Sequence, residues 1–451
     1  MSSEERVESI AEPASGRAYG DLASATPRRG IKLLLNMGGA ALARLGALLT
    51  TLIIVPISLS GLGPIYYGHL STLLSASILL SYADLGLSLS IVNDIASFGD
   101  RRKLEEGISG IFSLLMLIFM GVAVLIVVGG GVAICTSSAA TSTVRVCCVA
   151  FLMIAAGIPA GMAQRILYAQ QRNILAGIWL VAGRVVTIVA LLVCNMRSAE
   201  FEWYVYSIFG GPLGAAWLSM VYVVFRKYQN VGFSLSSGRL ALKRMLEGLS
   251  YLALNLGGYF EIGIDNYLIG LFRGPAFVTN YDLLSRIYLY VSALTNVLAA
   301  PLWPSLRTAE ENGDRRWARN ITVTAMLLTV VATSSVSLIF AVMHAWIIHA
   351  WTGYQYRPDL PLALALASTN VLTSVTYVQS MVLNARGIVK AQALFTAVGA
   401  ALLVLGKVTL LSSFSSLWVI PACTSTYYLF RILFGTILMR GRREDSLEKP
   451  A

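Results

Sequence analysis

Stretches of twenty or more predominantly apolar residues recur along this chain, separated by short polar or Gly- and Pro-marked breaks. A hydrocarbon layer about 30 Å thick is crossed by about 20 apolar residues of helix. The apolar runs predict helical spans near 34–58, 65–91, 107–133, 144–168, 174–196, 202–225, 246–272, 275–305, 321–347, 360–384, 388–410 and 415–438. The expected fold is therefore an all-α polytopic membrane protein of about twelve transmembrane helices. The third, ninth and eleventh spans are the clearest, and the seventh and eighth are the least apolar. Composition closes off the alternatives: of 451 residues, 56% are hydrophobic and only 13% charged. Soluble domains carry about 25% charged residues, so a soluble enzyme is excluded. The net charge of +11 invites a nucleic-acid reading, but that needs one contiguous basic face. Here Lys and Arg form short clusters between apolar runs, so no nucleic acid is expected as a partner. The five cysteines lack a Cys-x-x-Cys, and His69, His344 and His349 are far apart. No disulfide scaffold, metal site or cofactor is legible.

Residues 1–33 are polar, with Glu4, Glu5, Glu8, Glu12, Arg28 and Arg29, and contain no apolar signal core. They read as a cytoplasmic tail, with the first helix as an uncleaved insertion signal. With that end inside, 24 Lys and Arg fall on inner segments and four (Arg145, Arg197, Arg273 and Arg357) on outer ones. Basic residues stay on the cytoplasmic side, so both termini are placed inside and the number of spans is even. The longest inner connection, 226–245, divides a 34–225 lobe from a 246–438 lobe, and 439–451 form a second cytoplasmic tail. The lobes echo each other. Leu35-Asn36-Met37-Gly38-Gly39 corresponds to Leu254-Asn255-Leu256-Gly257-Gly258, and Gly99-Asp100-Arg101-Arg102 to Gly313-Asp314-Arg315-Arg316. Inner loops favour Gly, Asp and Arg in any case, which is the competing account of the second match. Six helices per lobe make the lobes run parallel, related by a pseudo-two-fold axis along the membrane normal, as in alternating-access transporters.

Six basic residues (Arg44, Arg165, Arg184, Arg286, Lys407 and Arg431) and four acids (Asp84, Glu261, Asp265 and Asp282) lie three or more residues inside the ends of the spans. A charge facing lipid at the bilayer centre costs about 2.5–3.5 kcal/mol, so such groups face protein or a water-filled cavity. Lys407 and Arg165 sit near helix ends, from which long side chains reach the interface. Arg44, Arg184 and Arg286 lie near helix centres. Their planar, permanently charged guanidinium groups match phosphate oxygens, and Arg44 and Arg184 have no acid within one turn. Glu261 and Asp265 are four apart, as are Asp282 and Arg286, so each pair shares a helix face. Two readings stay open: an ion-pair network joining helices 7 and 8, or closely spaced acids offering a proton or cation site. Asn36, Tyr251, Asn255, Tyr259, Asn266, Tyr290 and Asn296 suit sugar hydroxyls and equally suit helix–helix contacts.

The stretch Gly61-Leu62-Gly63-Pro64 through Tyr67-Gly68, and Asp84-Leu85-Gly86-Leu87 followed by Asn93, Ile95, Ala96 and Gly99-Asp100, resemble the helix 1–2 region of bacterial O-antigen/exopolysaccharide flippases. That family belongs to the multidrug/oligosaccharidyl-lipid/polysaccharide exporter superfamily. The length and two-lobe layout fit as well. The resemblance implies a non-enzymatic flippase of the bacterial inner membrane, moving an undecaprenyl-pyrophosphate-linked oligosaccharide from the cytoplasmic to the periplasmic leaflet. It further implies a cationic cleft (Arg44, Arg184, Arg286, Asn36 and Asn255), rocking lobes, and a proton or sodium gradient acting through Glu261, Asp265, Asp282 or Asp84, as in an antiporter. A polysaccharide polymerase and export machinery are the implied partners. Two alternatives are a multidrug cation exporter of the same superfamily, which a net-basic cavity disfavours, and a membrane enzyme on lipid-linked glycans, for which the outer loops are too short. No phosphate-cradling Gly-x-x-x-x-Gly-Lys-Ser/Thr loop is present, so ATP hydrolysis by this chain is not expected.

Overall fold

The computed structural model describes the backbone of residues 27–84, 101–136, 141–170, 172–225, 252, 256–299, 302–357 and 359–445, with the side chains of 27–45, 47–48 and 101–104 among those left out. The described residues are helical, with no strand. In chain order the helices are α1 Pro27–Ser81, α2 Arg101–Thr136, α3 Thr141–Ala160, α4 Met162–Ala169, α5 Asn173–Met196 and α6 Phe201–Met220. They continue with α7 Asp265–Arg273, α8 Pro275–Ala299, α9 Leu302–Glu311, α10 Arg315–Thr352, α11 Leu360–Ala385, α12 Val389–Ser413 and α13 Val419–Asp445. Among the described residues nine segments are long and apolar enough to cross a membrane. The chain is a multi-pass membrane protein. α8 is absent from those nine, in keeping with its low apolarity in the sequence.

Local chemistry sets several boundaries. α1 is interrupted at Gly63, whose φ of 71° and ψ of 171° no helix contains. Glycine tolerates positive φ, and the following Pro64 has no N–H to donate. α10 starts where Asp314 accepts the N–H of Trp317 at 3.1 Å and stops where Gly353, at φ 68°, bonds back to His349 O. These are an acidic N-cap and a left-handed glycine terminus. α11 begins in the same way, with Asp359 accepting from Leu362 N at 3.0 Å.

α2 shows why these helices do not belong in water. Ile108, Ile111, Phe112 and Leu115 form a narrow buried stripe, while Leu117, Val124, Leu125, Val127 and Val128 are exposed. A helix apolar on all sides that buries only part of its surface needs a hydrocarbon solvent.

The helices form two packing groups. α1 packs on α5, α5 on α6, and α2 and α6 on α3. On the C-terminal side α8, α10 and α13 all pack on α11, and α12 on α13. α1 joins the groups by also packing on α7 and α8. Its Val55, Leu59 and Tyr67 belong to the same buried apolar core as Leu283, Leu284, Ile348 and Leu411.

A charged seam between the helix groups

At the seam, the two interrupted helices meet at their interruptions. Thr279 Oγ1, just beyond the α7–α8 break, donates to Pro64 O at 2.5 Å, just beyond the α1 break. Ser75 Oγ donates to Gly263 O at 2.5 Å, and Trp351 Nε1 donates to Leu52 O at 2.8 Å. Glycine is required for this approach: a Cβ on Gly68 would lie 1.9 Å from Pro275 O. The groups are thus sealed together at the end that carries Gly63 and Gly274.

Next to this seal lies a cavity of about 250 Å³. Ser71 and Ser75 of α1 line one side, and Asp265, Asn266, Asp282 and Arg286 line the other. Asn266 Nδ2 donates to Asp282 Oδ1 at 2.7 Å, while its buried Oδ1 has no partner among the described residues.

Glu261, Asp265 and Asp282 each have a cation partner. Glu261 accepts from Arg431 Nη1 at 2.6 Å and from the Tyr427 and Tyr428 hydroxyls at 2.7 and 2.8 Å. Asp265 accepts from Lys407 Nζ at 2.6 Å and from Tyr281 OH at 2.7 Å. Asp282 accepts from Arg286 Nε at 2.6 Å. Glu261 sits in a π-turn, Tyr259–Gly263, whose wide winding lets Ile264 N–H reach back to Tyr259 O. The main-chain oxygen of Glu261 is taken by Lys407 Nζ at 2.6 Å. A buried carboxylate keeps its charge in such a place only when it is paired and fully hydrogen-bonded.

Lys407 differs from the sequence expectation. It does not reach the interface from a helix end. It is completely buried and lies between Asp265 and the Glu261 carbonyl. Asp265 and Glu261 therefore meet cations from α12 and α13, and Asp282 meets Arg286 of its own helix, rather than one another. In sequence Tyr67 enters only as part of the 61–68 stretch, and Ser71, Tyr427 and Tyr428 carry no expectation. A signal existed for the last two: two phenols three and four residues before Arg431, on one face of a membrane helix, call for an acceptor.

Arg184 is the exception. Half-buried on α5, it has no hydrogen bond or carboxylate among the described residues, yet it lies within electrostatic range of Arg286. Arg286 uses Nε for Asp282, and its terminal nitrogens have no acceptor among the described residues. Two guanidinium groups, one from each packing group and within electrostatic range of each other, thus keep donors with no acceptor among the described residues. The pairs at Glu261, Asp265 and Asp282 are formally neutral, so Arg184 adds net positive charge to this part of the seam.

Other expected site residues are less informative. Asp84 is half-buried in the turn after α1. Asp314 is the exposed cap of α10, and Arg316 is exposed in its first turn. Asn255 and Asp100, and the side chains of Asn36, Arg44, Arg101, Arg102 and Arg315, lie outside the described residues. So does the 226–245 linker.

Residues 34–310 match the family model described as polysaccharide biosynthesis protein. The chain belongs to that family. No curated protein matches it. Among solved structures, this polysaccharide biosynthesis protein is similar to an inward-facing multidrug resistance MATE family transporter of the MOP superfamily, with TM-score 0.71, 16% identity, and coverage of 91% of this chain and 100% of that one. It is also similar to the lipid II flippase MurJ in an inward closed conformation, with TM-score 0.70, 11% identity and coverage of 90% and 87%. An outward-facing MATE transporter of the MOP superfamily scores 0.55 at 13% identity, covering 92% and 98%. At these identities the likeness is one of fold, and the fold is one that transporters use.

Proposed function

We propose that this protein is a flippase that carries an undecaprenyl-pyrophosphate-linked oligosaccharide from the cytoplasmic to the periplasmic leaflet of a bacterial inner membrane, for polysaccharide synthesis. The observation that carries the reading is Arg184, which has no acid partner among the described residues and lies within electrostatic range of Arg286. An uncompensated cation at membrane depth is costly, and a diphosphate is the anion that a polysaccharide-assembly lipid would bring to it. Guanidinium groups bind phosphate oxygens through parallel N–H donors. Arg44 is the third arginine of the proposed cleft, and Asn36 and Asn255 are proposed to face the glycan. The layout in this reading is twelve spans in two six-helix lobes with both termini cytoplasmic, and polymerase and export proteins act downstream. A long polar glycan crosses between the lobes, while its lipid tail stays in hydrocarbon.

Coupling to a proton or sodium gradient is part of the proposal. The arrangement constrains how it works: an ion reaching Glu261 or Asp265 must compete with Arg431 or Lys407 for the carboxylate. A multidrug cation exporter has no use for an arginine such as Arg184, which lacks an acid partner among the described residues and repels a cationic cargo. The deciding experiment removes the protein from its host and follows lipid-linked oligosaccharide. Retention of the complete glycolipid in the inner leaflet is expected. Normal polymer export would reject the flippase reading.

A further inference from the structure

The sealed end of the seam and the arginine pair meet at one carboxylate. Asp282 is buried and receives donors from both packing groups: Tyr67 OH at 2.7 Å and Ser71 Oγ at 3.2 Å from α1, Asn266 Nδ2 at 2.7 Å, and Arg286 Nε at 2.6 Å. Oδ2 alone carries the Tyr67, Ser71 and Arg286 contacts. Each hydroxyl that bonds to a carboxylate disperses its charge and occupies a lone pair, which reduces its pull on a neighbouring cation. The hold of Asp282 on Arg286 therefore depends on whether α1 is in place. With α1 docked, Arg286 gives Asp282 only Nε, and its terminal nitrogens have no acceptor among the described residues.

We propose that Tyr67 and Ser71 are positioning residues for the arginine pair, and that they make its grip on a diphosphate depend on closure of the seam. While the Gly63 and Gly274 ends are together, the two hydroxyls satisfy Asp282, and the terminal N–H groups of Arg286 are available to the anion. When α1 withdraws, Asp282 loses two donors in a buried site. It regains them by drawing Arg286 into a two-pronged pair, because a buried carboxylate cannot be left short of donors. The anion then keeps Arg184 alone and is released. Coupling is reciprocal, so a bound diphosphate favours the sealed seam. If the sealed end is the periplasmic one, as the distribution of basic residues implies, the substrate is held while that side is shut and released when it opens.

This inference rests on the anion-site reading, and the experiment separates the two. The full-length protein in lipid nanodiscs is titrated calorimetrically with inorganic pyrophosphate. Arg184→Gln tests the parent reading and is expected to weaken binding at least about tenfold. Tyr67→Phe is expected to weaken it about tenfold and Ser71→Ala about threefold, in line with their shorter and longer contacts. In an Arg286→Gln background, Tyr67→Phe is expected to have no further effect, which a merely structural role for the phenol would not produce. Should Tyr67→Phe fail to fold, the Ser71→Ala series in the two backgrounds carries the same comparison. Wild-type affinity in Tyr67→Phe and Ser71→Ala, with loss in Arg184→Gln, overturns the inference and leaves the parent reading standing. So does a Tyr67→Phe effect of equal size with and without Arg286. Absence of pyrophosphate binding by the wild-type protein overturns both.

Discussion

In the C-terminal helix group Glu261, Asp265 and Asp282 each hold a cation at 2.6 Å, whereas in the N-terminal group Arg184 holds no acid among the described residues. The two regions lie against the same seam and in the same apolar setting, so the contrast reflects different purposes for charge. A paired ion deep in a membrane protein fixes helices in place, and its loss is read as instability. An unpaired one gains nothing for the fold, and in the proposed reading a ligand satisfies it. The same substitution type should therefore break different properties on the two sides.

The largest effect is expected from Arg184→Ala. Polymer export is abolished, while membrane abundance and thermal stability in detergent stay at wild-type levels, since no intramolecular pair is lost. Arg184→Lys is expected to recover only part of the export, because an ammonium lacks the planar fork. Wild-type export by Arg184→Ala would end the distinction between the two groups.

Lys407→Met is expected to do the reverse of a functional knockout: it leaves Asp265 as an unpaired buried charge and costs about 3–5 kcal/mol. A lowered unfolding temperature and reduced membrane yield report it. Adding Asp265→Asn removes the stranded charge and should recover most of the loss. If Lys407→Met is as stable as wild type, the pairing in the C-terminal group is not what holds α12 to α7.

The two sides were also unequally legible in sequence. The helices follow from apolar runs, and the Asp282–Arg286 pair follows from four-residue spacing on one helix, which is a local rule. Lys407 meets Asp265 across 142 positions, and Tyr67 meets Asp282 across 215. No periodicity carries information over such separations, since the partners are chosen by how helices pack. Lys407 was misjudged for a specific reason: its position near a predicted helix end suggested a route to water, yet α12 packs against the wide π-turn of Glu261. Arg184 stands out in sequence because nothing within a turn on its own helix could pair with it, and the packing of the helices supplies no acid among the described residues.

A smaller effect should come from Tyr428→Phe. The hydroxyl is one of three side-chain donors to Glu261, and the ring stays in place. With Arg431 and Tyr427 still bound to the carboxylate, the cost expected is about 1.5–3 kcal/mol, the range for a hydrogen bond to a charged group. Chemical or thermal unfolding relative to wild type measures it. A loss as great as that of Lys407→Met would mean that Glu261 depends on its phenols more than on its arginine.

The smallest effect tests whether pairing by itself is what separates the two groups. The N-terminal group does contain an ion pair, Arg145 with Glu202 at 3.0 Å, but the arginine side chain is 63% exposed whereas that of Lys407 is 0% exposed. Water solvates the guanidinium nearly as well as the carboxylate does, and holding two long side chains in one geometry costs entropy, so exposed pairs contribute little. Arg145→Ala is therefore expected to leave the unfolding temperature unchanged within error, in low salt as well as high. The contrast between the groups then lies in burial, which turns a charge into either a structural bond or a waiting ligand site. A clear loss of stability in Arg145→Ala, growing as salt is removed, would show that the rim pair helps to hold α3 against α6 and that exposure does not separate the two kinds of charge.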